Sequence, residues 1–169
     1  MDNPKRKFTP AGILGAVAGF AFSRYAGSNV LVPIVGAVLI GWTIKKIKRE
    51  QYPMGSAVAV QGGHCLWMIV AAVVGVAGPS FLVETAIFAA AIAWLYFQPR
   101  LPAVILLGTY QAIALVVNLS AIKGVPLDST DAKALSVHIA LRVIGIGAMA
   151  WALRASAKAA AAVEPAVRP

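Results

Sequence analysis

Residues 102–122 read PAVILLGTYQAIALVVNLSAI, a run of 21 positions without a charged side chain. At 1.5 Å per residue, a helix of that length spans about 30 Å, the thickness of a bilayer's hydrocarbon core. The run is continuously apolar and does not alternate, which excludes the strand of an outer-membrane barrel. A helix is therefore predicted, because it alone satisfies every backbone polar group within one segment in lipid.

Working outward, comparable runs lie at about 10–26, 30–47, 56–77, 80–97 and 132–154. The fold class expected is all-α: a polytopic membrane helical bundle of about six transmembrane helices, forming a single domain over residues 10–154. Residues 1–9 form a basic N-terminal segment. Residues 155–169 form a tail, expected to extend the sixth span briefly and then fray. Composition agrees. Of 169 residues 60% are apolar and 12% charged, and the mean hydropathy is +0.80, far from the average of soluble domains.

Net charge +9 raises the question of nucleic acid, but the basic residues sit at span ends and form no stripe, so no nucleic-acid partner is expected. They orient the spans instead. Eleven fall on one side: Lys5, Arg6, Lys7, Lys45, Lys46, Lys48, Arg49, Arg100, Arg154, Lys158 and Arg168. Three fall on the other: Arg24, Lys123 and Lys133. The excess marks the cytoplasmic side, which puts both termini in the cytoplasm and the chain in a bacterial cytoplasmic (inner) membrane.

Punctuation follows the same boundaries. Pro10, Pro79 and Pro102 fall at first turns, where a missing N–H costs nothing. Thr9 and Asp131 are the expected N-caps of spans one and six. Span one has a rival reading as a secretory signal cut near Ala26, Gly27 and Ser28, which would leave five spans of unchanged orientation. Arg24 and the immediate start of span two favour an uncleaved helix. Gly15, Gly19 and Ser23, with Ala11 and Gly27, recur every four residues and give span one a smooth face for close helix packing.

The halves share landmarks. Pro10 and Pro79 are 69 apart, as are Pro33 and Pro102; Pro53 and Pro126 are 73 apart; His64 and His138 are 74 apart. Two inverted three-helix repeats would produce this pattern. Prolines also gather at helix ends without duplication, so the landmarks alone do not decide it.

Polar side chains inside spans are costly, and they mark either structural pairs or sites. Span three carries Gln61 and His64 on one face, and span four carries Glu84. Span five carries Gln111 and Asn118 on one face, with Tyr110 beside them. Span six carries His138 and Arg142, with Gly145 continuing their face. Their depths run from the outer boundary to the midplane, with Glu84 roughly 6 Å and His138 about 9 Å below the outer end. An outward-facing polar cavity is expected there, with Arg142, His138, Glu84, Gln111, Asn118, His64 and Gln61 as its ligand-binding candidates. The alternative is a structural ion pair, since Glu84 is the sole acid inside a span and a buried Arg142 needs a partner.

Metal and enzyme signatures are weak. Cys65 is the single cysteine, so no internal disulfide or cysteine cluster can form. The two histidines raise haem ligation, the one cofactor weighed, and zinc less so, for want of a ligand-spacing motif. No hydrolase elbow, zinc-protease motif, paired intramembrane aspartates or phosphate loop occurs. Ser136 and His138, two apart, point to different faces.

Three function classes follow. The first is a small transporter or the solute-capturing subunit of a larger one. Length and span count are compatible with the substrate-capturing subunits of energy-coupling vitamin transporters, without a shared motif. The second is a scaffold or accessory subunit with membrane-protein partners, for which an exposed face such as Trp94, Tyr96 and Phe97 would serve. The third is an intramembrane enzyme or haem protein.

Overall fold

The computed structural model describes residues 26–47, 54–74 and 79–163. A 3-10 turn at Gly27–Val30 leads into five α-helices: α1 (Leu31–Ile47), α2 (Gly55–Val73), α3 (Pro79–Phe97), α4 (Leu101–Ala121) and α5 (Thr130–Val163). A second 3-10 turn, Ile122–Gly124, closes α4. No strand occurs among the described residues, so the chain is all-α. The helices coincide with spans two to six. Span one, with Thr9, Pro10, Gly15, Gly19, Ser23 and Arg24, lies outside the described residues.

Three stretches, Gly55–Val73, Leu101–Gly124 and Thr130–Lys158, are long and apolar enough to cross a membrane, and Phe81–Phe97 is a shorter apolar helix. Among the described residues that is fewer full-length spans than the five expected there, span one lying outside them. α1 is 17 residues long and ends on Lys45 and Lys46. Its outward face is nonetheless apolar: Leu31, Ile34, Val38 and Trp42 are all more than half exposed. On α4, Ile105, Ile113, Val116 and Val117 are exposed in the same way. Faces of this kind are tolerated in lipid and not in water.

Boundaries differ from expectation at three places. α2 ends at Val73, short of 77. α5 runs on to Val163, past 154, because the alanines of 155–163 are the best of helix formers. The cap of α5 is Ser129 and not Asp131: Ser129 Oγ accepts the backbone N–H of Ala132 at 3.1 Å. Asp131 lies two residues too deep to cap and instead sets its charge in the first turn, where the helix dipole favours an anion. Pro102 does fall in the first turn of α4, as its missing N–H requires.

α2 is the centre, packing against α1, α3 and α5, while α4 leans on α5 and α3. In lipid, burial of apolar surface does not drive helices together, so close backbone approach and polar contacts must. The α1–α2 seam shows the first. A Cβ on Gly63 would strike the carbonyl of Pro33 and the backbone of Ala37. One on Gly36 would meet Leu66 at 2.9 Å and the Gly63 Cα at 3.2 Å. Three hydroxyls are satisfied within their own helices: Thr43, at the surface, donates to the Leu39 carbonyl, buried Thr85 to that of Phe81 and Ser156 to that of Ala152.

Candidate functional site

The second device is a buried polar chain across four helices. Arg142, on α5, is 1% exposed. Its Nη2 donates to Glu84 Oε1 on α3 at 2.7 Å, and its Nη1 donates to Gln111 Oε1 on α4 at 2.8 Å. Tyr110, one residue before Gln111, donates its hydroxyl to the same Glu84 oxygen at 3.0 Å. Its ring lies 5.6 Å from the guanidinium carbon. Gln111 Nε2 donates onward to Gln61 Oε1 on α2.

Arginine fixes the direction of this chain. A guanidinium has donors only, so Gln111 must turn its oxygen toward Arg142 and its amide nitrogen toward Gln61. Gln61 must then present its own oxygen, which leaves its Nε2 with no acceptor. Gln61 fits because residue 145 is glycine: a Cβ there would come within 2.9 Å of Gln61 Cδ. The Nε of Arg142 and the Nδ1 of His64 are likewise buried without a partner.

A second pair sits beside the chain. His64, one turn beyond Gln61, and His138, one turn before Arg142, meet at 3.0 Å between Nε2 and Nδ1. One ring must donate and the other accept, so at least one imidazole is neutral. Aromatic rings box the pair: Trp67 lies 4.3 Å from His138 and Phe81 5.6 Å, both edge-on, while Phe88 lies 5.3 Å from His64. Phe88 also stacks on Tyr110 at 5.4 Å, joining the two groups. Axial haem ligation needs two rings facing one iron from opposite sides. These two instead face each other in a hydrogen bond, so the haem expectation does not fit the geometry. Among the described residues, no three His, Cys, Asp or Glu groups converge as metal ligands.

Six of the seven candidates are therefore brought together: Arg142, His138, Glu84, Gln111, His64 and Gln61. Asn118 is not. It lies two turns along α4 from Gln111, with a buried Nδ2 that finds no partner. The group is closed, since Gln61, His64 and Gln111 are 0% exposed and His138 is 7% exposed. Only Glu84 opens outward, with 37% of its side chain exposed. An open polar cavity around Arg142, as expected from depth alone, would require these side chains to be accessible.

Sequence reasoning passed over Phe81, Phe88 and Trp67. The signal was present: Phe81, Glu84, Thr85 and Phe88 follow one another at helical spacing, so whatever receives Glu84 must also receive both rings. Of the aromatic face expected at the end of α3, Trp94 and Phe97 are exposed, while Tyr96 is half-buried against the core.

Set against known proteins, the chain matches no family model, and no curated protein or solved structure matches it.

Proposed function

We propose that this chain is a scaffold or accessory subunit of a membrane complex, in which the buried polar chain clamps α2, α3, α4 and α5 into one register. The observation that carries this is the state of Arg142: it is 1% exposed, with both terminal nitrogens committed to Glu84 and Gln111. A side chain so engaged is a structural tie, because a solute would first have to displace an ion pair made in a low dielectric. The build that goes with this reading is six spans in a bacterial cytoplasmic membrane with both termini inside, for which the distribution of basic residues argues. The His64–His138 contact supports inverted repeats, since residues equivalent by a two-fold axis meet where that axis passes between their helices.

The test is a paired substitution. Glu84→Gln and Arg142→Met, each alone, should lower the unfolding temperature in detergent. Combined, they should recover part of the loss, because with both charges gone neither is left stranded. Chemical crosslinking in native membranes should also trap the chain in species well above its 17.5 kDa. A chain that stays monomeric under crosslinking would sink the accessory-subunit reading.

One observation favours the second reading, a solute-capturing or transport subunit. Three buried groups beside one another, Gln61 Nε2, Arg142 Nε and His64 Nδ1, lack partners, and a ligand with acceptor oxygens would answer the first two. On that reading the folded double variant loses solute flux in reconstituted vesicles. On the structural reading, flux is not its property.

A further inference from the structure

α1 and α3 both pack on α2, with little direct contact between them. They form the walls of a groove of about 480 Å³ with α2 as its floor, within the usual ~300–1,000 Å³ range of small-molecule sites. Ile40, Ile44 and Ile47 line one side, Cys65 the floor, and Ala93 and Phe97 the other side. The lining is almost wholly hydrocarbon. Its one aliphatic hydroxyl, Thr43, is spent on the Leu39 carbonyl. The other polar groups of the lining are only the Cys65 thiol and the Tyr96 phenol, so the groove fits an acyl chain better than a polar solute.

The mouth of the groove is basic. Lys45 and Lys46 lie in the last turn of α1 between lining residues Ile44 and Ile47, and both are exposed. Lys46 Nζ sits 4.4 Å from the centre of the Trp42 ring, an aromatic and a cation together as at a membrane boundary. Arg100, exposed, follows Phe97 by three residues. The described acids are at the opposite end: Glu84 near the start of α3, and Asp128 and Asp131 beyond the far end of α4.

The geometry points to a binding site for an anionic phospholipid, with one acyl chain in the α1–α2–α3 groove and the headgroup phosphate against Lys45, Lys46 and Arg100. The inference rests on the membrane placement of the chain but not on its scaffold role. Each Lys or Arg beside an anionic headgroup contributes roughly a fivefold gain in binding.

The full-length protein, purified in neutral detergent, is equilibrated with phosphatidylglycerol or with phosphatidylcholine of the same acyl chains, and retained lipid is counted by native mass spectrometry. Wild type should retain phosphatidylglycerol with roughly hundredfold preference, about fivefold from each of the three cations. Lys45→Gln with Lys46→Gln should cut the preference to the roughly fivefold that Arg100 alone supplies, while phosphatidylcholine retention is unchanged. Ala93→Trp, which fills the groove, should lose both lipids at unaltered helicity. The lysine variant alters only exposed side chains, so it decides the matter even if Ala93→Trp fails to fold. Equal retention of the two lipids by wild type overturns the site, and so does full retention by folded Ala93→Trp. So does absence of both lipids, which would mean that protein, residues 10–25 or a second copy, fills the groove. Alkaline carbonate extraction separates the two levels. Release of the chain from membranes would defeat the membrane placement itself, whereas a chain held in the pellet without lipid preference defeats only this site.

Discussion

Arg142 is the residue on which the interior turns, because it can only donate and so dictates the orientation of two amides. Removing Glu84 strands that charge in a bundle where it is 1% exposed. Glu84→Ala should therefore cost about 1–3 kcal/mol, below the range for a fully buried pair because Glu84 is 37% exposed and Arg142 keeps its bond to Gln111, read as a shift in chemical unfolding in detergent micelles. Gly145→Val acts on the same chain from behind, since its side chain would occupy the place of Gln61. It should destabilise by about 1–3 kcal/mol through overpacking. Gln61→Ala in the same background should relieve most of that loss, and failure of the rescue would show that Gly145 matters for some other reason.

At the scale of the helix, the α1–α2 seam depends on two glycines with no room for a methyl group. Gly63→Ala pushes on backbone at Pro33 and Ala37 that cannot rotate away. It should cost at least about 2 kcal/mol, whereas Gly147→Ala, with open space around its Cβ position, should stabilise by up to ~1 kcal/mol through helix propensity. Thermal unfolding of the two variants side by side checks the contrast. At the start of α5, Ser129→Ala should cost about 1 kcal/mol and Asp131→Ala less, because the cap bond is the serine's. The length and continuous apolarity of the runs were enough to place each described helix. They were not enough to choose between two polar residues two apart as the cap, a choice made by the path of the chain through 125–129.

Across the whole molecule, the charge asymmetry makes a directional forecast. In sealed right-side-out membrane vesicles, Asp128→Cys should react with an impermeant maleimide at once, and Arg100→Cys only after the vesicles are opened. The reverse pattern would invert the topology. If that forecast holds, Glu84 faces the outer end of the bundle and the lysine-rimmed mouth of the groove the inner one. On α2 the two sites stand side by side, Gln61 and His64 in the polar group and Gly62, Cys65 and Ile69 lining the groove. Because they occupy different faces of that helix, exposed substitutions at the rim of the groove should leave the stability of the polar chain unchanged.

The sequence by itself determined that the chain is helical and suited to a membrane, because long uncharged runs such as 102–122 leave lipid as the only solvent in which their surface is tolerable. It also nominated the polar residues, since each is too costly at depth to be incidental, and it foresaw the Glu84–Arg142 pair as the one charge match available. Which of those residues touch was beyond it. Gln61, Gln111 and Arg142 come from helices far apart in the chain, and Asn118, on the same face of α4 as Gln111, misses the cluster. Helix periodicity fixes a face and never a neighbour. The crossing of α2, α3, α4 and α5 closed what depth alone had suggested was an open cavity around Arg142, and the gap left between α1 and α3 opened an apolar groove that no pattern of residues foretold.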